Sequence, residues 1–204
     1  MLKIYAMSAA VVLAALLAGT AAYVQFAGSS QAADSCEAHA TAGATIGGPF
    51  ELLDAASETV TDVDVIDRPS LVYFGYSFCP DVCPFDVARN AEAVDILKAA
   101  GHDVRPVFIT IDPERDTPDV MADYQFNMHP DLVGLTGSAE QIKAAADAYR
   151  VYYARGPGDD EFYLMDHTTF TYLMMPGNEM RAFFRREDTA QAMADITACL
   201  IEAD

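Results

Sequence analysis

Basic residues are scarce in this chain, which has 12 lysines and arginines against 31 aspartates and glutamates and a formal net charge of −19. A protein that binds nucleic acid needs a basic face for the phosphates, so this composition argues against a nucleic-acid partner. A surplus of acidic side chains keeps a domain soluble. It also suits a domain that is held near a membrane or that docks on a basic partner.

Internal repeats and dominant low-complexity blocks are also missing. Because 52% of the 204 residues are hydrophobic, most of the chain is expected to be globular rather than disordered. The length is sufficient for one membrane segment and one domain of roughly 150 residues with its own core. We predict an anchor at 1–27, a linker rich in Gly, Ser, Ala and Thr at 28–48, and a single domain at 49–204.

Charged side chains are absent between Ile4 and Ala33, and the basic residue beside this stretch is Lys3. The apolar part of the stretch has about 24 residues, enough to cross the ~30 Å hydrocarbon layer as a helix. A cleaved secretory signal is the alternative, because the residues before Ala33 resemble a cleavage site. The apolar region of a signal usually has only ~7–15 residues, so we favour a retained anchor.

The charges that flank the predicted anchor indicate its orientation. Lys3 precedes it, and Asp34 and Glu37 follow it, so the domain is expected outside the cytoplasm. An Arg-rich amphipathic transit peptide is absent, which favours a bacterial inner membrane over a mitochondrial one. We therefore predict a single-pass protein whose soluble domain lies in the periplasm, an oxidising compartment where disulfides persist.

Several segments of the predicted domain have sequence patterns typical of β-strands. Two strands around Ala56–Ser57 predict an N-terminal hairpin, the second strand running through "TVTDVDVI" to Ile66. Short apolar runs at 70–76 and 104–112 predict strands that are buried on both faces of a sheet. A further short strand is predicted at 132–137. A second hairpin is predicted around the Pro-Gly-Asn at 176–178.

Helix patterns alternate with these strands. Apolar residues recur at helical spacing after the first buried strand, and capping residues at Thr117, Ser138 and Asp188 indicate the starts of three more helices. Strand–helix alternation followed by a hairpin and a last helix is typical of an α/β fold. We predict a thioredoxin-like sandwich with a mixed central sheet.

Two cysteines follow the first buried strand, in the stretch "YFGYSFCPDVCPFD". Cys79 and Cys83 lie where the strand passes into a helix, at the sheet edge where open α/β sheets bind ligands. A helix N-terminus favours the thiolate. Thiolates are soft donors that select Cu(I) or Zn(II), although zinc would need further ligands. A structural disulfide, a redox dithiol and a metal clamp are all compatible with this spacing.

Among the four histidines, His167 is the candidate for a third ligand. It lies at the turn before the second hairpin, which a thioredoxin-like fold places beside the carboxyl end of the first buried strand. A structural role in that turn is the alternative. His39, His102 and His129 are expected to be structural or solvated. Cys36 and His39 form a C-x-x-H pair, but this spacing is a weak signal in a flexible linker.

Four segments together closely resemble the SCO/SenC family of membrane-anchored copper proteins: "YFGYSFCPDVCPFD", "FITIDPERDTP", "GLTGSAEQI" and "MDHTTFTYLM". The resemblance covers about residues 46–200. It implies that Cys79, Cys83 and His167 bind copper, as Cu(I), Cu(II) or both. It also implies that the domain receives copper from donor proteins and helps to assemble the binuclear copper centre (CuA) in subunit II of cytochrome c oxidase. The family pattern further includes residues that we interpret as a loop that caps a helix and lines the rim of the site: Asp112, Pro113, Arg115, Asp116, Thr117 and Pro118.

A thiol–disulfide reductase is the main alternative to copper delivery. Metal-free Cys79 and Cys83 would then form a redox-active disulfide and would reduce the CuA cysteines before copper arrives. Enzymes of the thioredoxin type usually have C-x-x-C, so the extra residue and the histidine favour a metal. A redox or copper sensor is a further alternative, and copper delivery itself requires no enzymatic activity.

Cys36 and Cys199 lie outside these motifs. Two remaining cysteines in an oxidising compartment are most simply a structural disulfide, here one that joins the linker to the last helix. Because the closed loop would be long, the bond is expected to stabilise the fold by on the order of 3–4 kcal/mol.

Overall fold

The computed structural model of this protein describes Leu16, Gly19, Thr20 and the ranges 46–159 and 162–203. The chain divides into two compact units, 1–38 and 39–204. In the first unit the Thr20 hydroxyl donates to the Leu16 carbonyl at 2.9 Å. Most of the predicted anchor and linker lies outside the described residues. Within the described part, no helix is both long enough and apolar enough to cross a membrane.

The second unit is built from strands and helices in alternation. The strands are β1 (Glu51–Asp54), β2 (Thr59–Thr61), β3 (Ser70–Gly75), β4 (Arg105–Thr110), β5 (Val133–Thr136), β6 (Tyr153–Gly158), β7 (Tyr163–His167), β8 (Thr171–Met175) and β9 (Glu179–Phe184). The helices that follow the first unit are α1 (Asp62–Val65), α2 (Val82–Ala99), α3 (Pro118–Met128), α4 (Ala139–Ala148) and α5 (Ala190–Glu202).

A mixed sheet organises this unit. Across residues 46–159 and 162–203, seven strands form one sheet in the order β2-β1-β5-β4-β3-β8-β9. Its centre is parallel, with β3 beside β4 and β4 beside β5, and the outer strands run antiparallel to their neighbours. The predicted mixed sheet and N-terminal hairpin are therefore confirmed.

Strand β3 lies at the middle of the core. All six of its residues are buried, as the continuous apolar run predicts, because elements cover both faces of a central strand. Helix α2 follows directly, and its buried residues include Val87, Ala91, Val94 and Leu97, spaced three or four apart. Helices α2 and α5 pack against each other. The first turn of α2, which contains Cys83, follows β3 after the short segment 76–81.

Two local predictions are wrong. The second strand of the N-terminal hairpin ends at Thr61 and passes into α1, because the Asp64 carboxylate accepts the N–H of Thr61 at 2.9 Å and starts a helical turn. Helix α5 is capped by Thr189, whose hydroxyl accepts the N–H of Ala192 at 3.2 Å. The carboxylate of Asp188 instead accepts the N–H of Arg185 at 2.6 Å. The caps predicted at Thr117 and Ser138 are confirmed.

The antiparallel ribbon of β6 and β7 was not predicted from the sequence. It is separate from the main sheet, and its register pairs Tyr153 with His167 and Arg155 with Met165. Gly156, Pro157 and Gly158 make up the second half of β6, so its sequence does not show the pattern of a strand. The ribbon matters for function because His167 is its last residue.

Candidate metal centre

The cysteine loop, residues 76–81, connects β3 to α2. Cys79 is 8% exposed, and Cys83, the second residue of α2, is completely buried. The N–H of Cys83 donates to the sulfur of Cys79 at 3.4 Å, and the N–H of Cys79 donates to the Tyr76 carbonyl at 3.3 Å. N–H groups in the first turn of a helix have no partner within the helix, so the N–H of Cys83 is available to the sulfur of Cys79.

Space for the sulfur of Cys83 depends on Gly75. A Cβ atom at this position would lie 3.1 Å from the Cys83 sulfur, 2.9 Å from Cε1 of Tyr73 and 3.0 Å from Cε2 of Phe108. Any larger residue would therefore crowd the buried thiol. Even a methyl group at the last position of β3 would require these neighbouring side chains to move, which explains the glycine there.

His167 reaches the cysteines from the ribbon. Its Nε2 lies 3.4 Å from the sulfur of Cys83, and its Nδ1 lies 2.8 Å from the carbonyl oxygen of Thr168. Since a carbonyl can only accept a hydrogen bond, this contact requires the proton on Nδ1. The lone pair of the neutral ring is then on Nε2, which faces the sulfur.

Asp166, the nearest candidate in sequence for orienting His167, makes no hydrogen bond to the ring among the described residues. Successive strand residues point to opposite faces, so the exposed Asp166 faces away from the ring. The backbone of Thr168 orients His167 instead.

Two tyrosine rings enclose the imidazole. The ring of Tyr73 lies 6.2 Å from that of His167 at an angle of 81°, and the ring of Tyr76 lies 6.0 Å away at 86°. These edge-to-face contacts fix the plane of the imidazole. The hydroxyl of Tyr73 donates to the buried carboxylate of Asp86 at 3.0 Å. The site is therefore shaped by side chains that have partners of their own.

The two thiols have opposite electrostatic environments. Burial raises the pKa of the Cys79 thiol, but hydrogen bonds from the N–H groups of Cys83 and Asp81 outweigh burial, so its pKa lies below the ordinary value. Burial raises the pKa of the Cys83 thiol far above its usual range. Burial also lowers the pKa of His167, which favours the neutral, ligand-competent imidazole at pH 7.

Buried Asp116 anchors the cysteine loop. Its carboxylate accepts the N–H of Ser77 at 3.0 Å, the hydroxyl of Ser77, and the hydroxyl of Thr110 at 2.5 Å. Its carbonyl accepts the Thr136 hydroxyl at 2.6 Å. Burial raises the pKa of Asp116, and the hydrogen bonds from Ser77 and Thr110 oppose that rise. Asp116, in the segment after β4, thus fixes the cysteine loop through hydrogen bonds with Ser77. The sequence did not indicate this role of Asp116.

The structure brings together Cys79, Cys83 and His167 through pairwise contacts. Within the described ranges, however, no three His, Cys, Asp or Glu side chains are already arranged around one metal position. The other described histidines have different partners: His102 lies 3.5 Å from Glu202, and His129 lies 3.3 Å from Asp95.

Three of the four cysteines lie in the described part of the chain. Cys79 and Cys83 are free thiols, whereas Cys199 is disulfide-bonded. Cys36 and His39 lie outside the described residues, so the Cys36–Cys199 pairing stays a prediction.

Known proteins are similar to this chain in both sequence and fold. The model of the SCO1/SenC family matches residues 38–202. Protein SenC of Rhodobacter capsulatus is 54% identical over 164 residues, which cover 80% of this chain and 74% of that protein. The mitochondrial SCO1 homolog of Homo sapiens is 44% identical over 142 residues, 68% of this chain and 47% of that protein. The chain thus spans about half the length of this mitochondrial relative.

Solved structures agree with this match. The crystal structure of Arabidopsis thaliana ScoI with copper bound has a TM-score of 0.73 and 39% identity, and it covers 77% of this chain and 99% of that one. Yeast Sco1 with copper bound has a TM-score of 0.74 and 33% identity, with 79% and 91% covered. The predicted thioredoxin-like α/β fold is confirmed. With matches over most of its sequence and over its fold, this chain belongs to the SCO1/SenC family.

Proposed function

We propose that this protein is a copper metallochaperone that binds one copper ion through the thiolates of Cys79 and Cys83 and the imidazole of His167. The observation that carries the proposal is the 3.4 Å contact between the Cys83 sulfur and Nε2 of His167. Because Nδ1 is occupied by the Thr168 carbonyl, the free lone pair of the ring faces the sulfur. A histidine held in this way beside two thiols has no obvious use in dithiol exchange.

The donor set suits copper. Soft thiolates select Cu(I), and an imidazole nitrogen adds affinity for Cu(II). Among the described residues the three donors are not already arranged around one metal position, so they must draw together when the ion binds. The relatives crystallised with copper bound support the choice of metal.

Delivery to the CuA centre in subunit II of cytochrome c oxidase is the second part of the proposal, and it rests on family membership. The copper would arrive from a donor protein and leave by ligand exchange to the cysteines of the acceptor. Exposed aromatic side chains beside the ligands support docking of a partner at this edge. Phe78, next to Cys79, is 53% exposed, and Phe85, two residues after Cys83, is 70% exposed.

Copper titration of residues 28–204, which keep both Cys36 and Cys199, under mildly reducing conditions tests the binding site. We expect one copper per chain in the wild type and no tight binding in the Cys79→Ser/Cys83→Ser double variant. His167→Ala should lose most of its affinity for Cu(II) and should fail to support oxidase assembly in cells. His102→Ala is the matched control and should behave as wild type. Full oxidase activity with His167→Ala would contradict copper delivery.

Thiol–disulfide exchange is the second candidate, and the opposite pKa shifts of the two thiols favour it. The Cys79 thiolate would attack a partner disulfide and release one partner thiolate. Cys83 would then attack the Cys79 sulfur, form the Cys79–Cys83 disulfide and release the second partner thiol. The exchange moves two electrons to the partner and needs no imidazole. Retention of this reductase activity in His167→Ala would separate it from copper delivery.

We also propose that residues 1–27 anchor the protein in a bacterial inner membrane with the domain in the periplasm. The uncharged stretch from Ile4 to Ala33 supports this. The full chain should stay in the membrane fraction after a high-salt wash. N-terminal sequencing of the mature protein that began at Ala33 would instead identify a cleaved signal.

A further inference from the structure

Arg115 occupies a nearly buried position between the cysteine loop and the ribbon. Its side chain is 12% exposed, and its Nε donates to the carboxylate of Asp112 at 2.6 Å. The guanidinium carbon lies 3.5 Å from the ring centre of Tyr163, 4.9 Å from that of Phe78 and 5.7 Å from that of Tyr76. One cation is thus surrounded by three aromatic rings.

These rings come from the two segments that carry the ligands. Tyr76 and Phe78 belong to the cysteine loop, and Phe78 directly precedes Cys79. Tyr163 is the first residue of β7, and His167 is the last. Nη1 of Arg115 also donates to the Tyr163 carbonyl at 3.1 Å, and the Tyr163 hydroxyl donates to Asp112 at 2.7 Å.

We infer that Arg115 is a positioning residue for the metal centre, which clamps the start of β7 against the cysteine loop and thereby sets the distance from His167 to Cys83. The inference rests on the proposed function for its consequence in copper binding. The clamp itself is a property of the metal-free protein. Because the ribbon is not part of the main sheet, contacts of this kind have to hold His167 in place.

The planar guanidinium is essential to this role. It donates to a carboxylate and a carbonyl and stacks on a ring at the same time, which the ammonium group of a lysine cannot do. Its third nitrogen, Nη2, is buried and has no hydrogen-bond partner among the described residues. This part of the guanidinium therefore contributes contacts with the aromatic rings rather than a hydrogen bond.

Arg155 provides a matched control. Its guanidinium carbon lies 4.0 Å from the ring centre of the same Tyr163, but the side chain is exposed. Its Nη2 donates to the carbonyl of Asp159, which directly follows β6. Loss of Arg155 removes a cation from Tyr163, and neither of these two contacts of Arg155 involves the cysteine loop.

The first measurement uses metal-free protein and compares Arg115→Lys with Arg155→Ala by backbone hydrogen exchange. We expect exchange to accelerate in residues 163–168 of Arg115→Lys, while α5 exchanges as in wild type. Arg155→Ala should leave residues 163–168 close to wild type. Unchanged exchange in Arg115→Lys, or equal acceleration in both variants, would overturn the clamp.

The second measurement is the Cu(II) affinity of Arg115→Lys, with and without His167→Ala. Loss of groups that orient a ligand typically costs about 10- to 100-fold in metal affinity, and we expect a loss of this size for Arg115→Lys alone. In the His167→Ala background the same substitution should have no further effect, because Arg115 acts through His167. Equal losses in both backgrounds would mean general destabilisation and would refute the inference.

Different results would contradict the proposed ligand set and the proposed role of Arg115. If His167→Ala binds Cu(II) as wild type does, the proposed ligand set is wrong, and hydrogen exchange alone decides the clamp. If His167→Ala loses affinity but Arg115→Lys does not, the ligand set stands and the clamp is wrong.

Discussion

At the scale of single residues, the two thiols of the site differ in reactivity. The pKa of Cys79 is lowered because two N–H groups at the start of α2 outweigh the effect of burial, whereas burial raises the pKa of Cys83. A lowered pKa means that, at a given pH, a larger fraction of Cys79 is thiolate than of an unperturbed cysteine.

We therefore expect iodoacetamide to modify Cys79 before Cys83 in the reduced, metal-free protein. As the pH rises, the rate for Cys79 should level off below the pH at which an unfolded cysteine does. The rate for Cys83 should still be rising there. Peptide mass spectrometry after timed quenching measures both rates, with urea-unfolded protein as the reference. Equal rates at all pH values in the folded protein would contradict the asymmetry.

Gly75 is the residue on which the geometry of Cys83 depends. In Gly75→Ala the added methyl group would press on the Cys83 sulfur and on the rings of Tyr73 and Phe108. Overpacking of this kind costs about 1–3 kcal/mol, which should appear as a lower midpoint of urea unfolding in metal-free protein. The variant should also bind copper more weakly because Cys83 is displaced. Wild-type stability together with wild-type copper binding would show that the site has room to adjust.

At the scale of elements, the position of His167 depends on the ribbon of β6 and β7. Gly158 has a φ of 153°, and a Cβ atom there would collide with the carbonyl oxygen of Phe162. A side chain at this position therefore cannot coexist with the observed pairing of Gly158 with Tyr163.

Gly158→Ala is expected to disrupt the ribbon and to weaken Cu(II) binding while the main sheet stays folded. Gly177→Ala is the matched control: this glycine also has a positive φ, 84°, but a Cβ atom there would meet nothing within 4 Å. It lies in the β8–β9 turn and should cost stability without affecting copper. Cu(II) titration and far-ultraviolet circular dichroism measure the two effects. Similar copper affinities in both variants would show that the ribbon does not control the site.

At the scale of the whole molecule, the disulfide of Cys199 is expected to join it to Cys36. Peptide mapping without reduction should recover the two peptides linked, and mapping after reduction should separate them. Cys199→Ser should lose on the order of 3–4 kcal/mol of unfolding free energy, because the closed loop is long. Copper binding at saturating metal should be retained, since neither cysteine belongs to the proposed ligand set. Labelling of Cys36 as a free thiol in native protein would refute the pairing.

Local patterns in the sequence were sufficient for most of the fold. The apolar run of β3 and the helical spacing of Val87 to Leu97 follow from which faces of these elements are buried. The caps at Thr117 and Ser138 are hydrogen bonds between residues close in the chain. For this reason the mixed sheet and the position of Cys79 and Cys83 at the strand–helix junction could be predicted from sequence alone.

Only the tertiary structure decided how the site is held together. The contact of His167 with Cys83 spans 84 residues, and that of Arg115 with Tyr163 spans 48. The sequence predicted that His167 lies beside the two cysteines, but it did not predict the separate β6–β7 ribbon that carries His167, the contacts of Arg115, or the support of the loop by Asp116. The physical reason is that a hydrogen bond or ring contact between distant residues depends on how whole elements pack, and sequence periodicity reports only the face that each element buries.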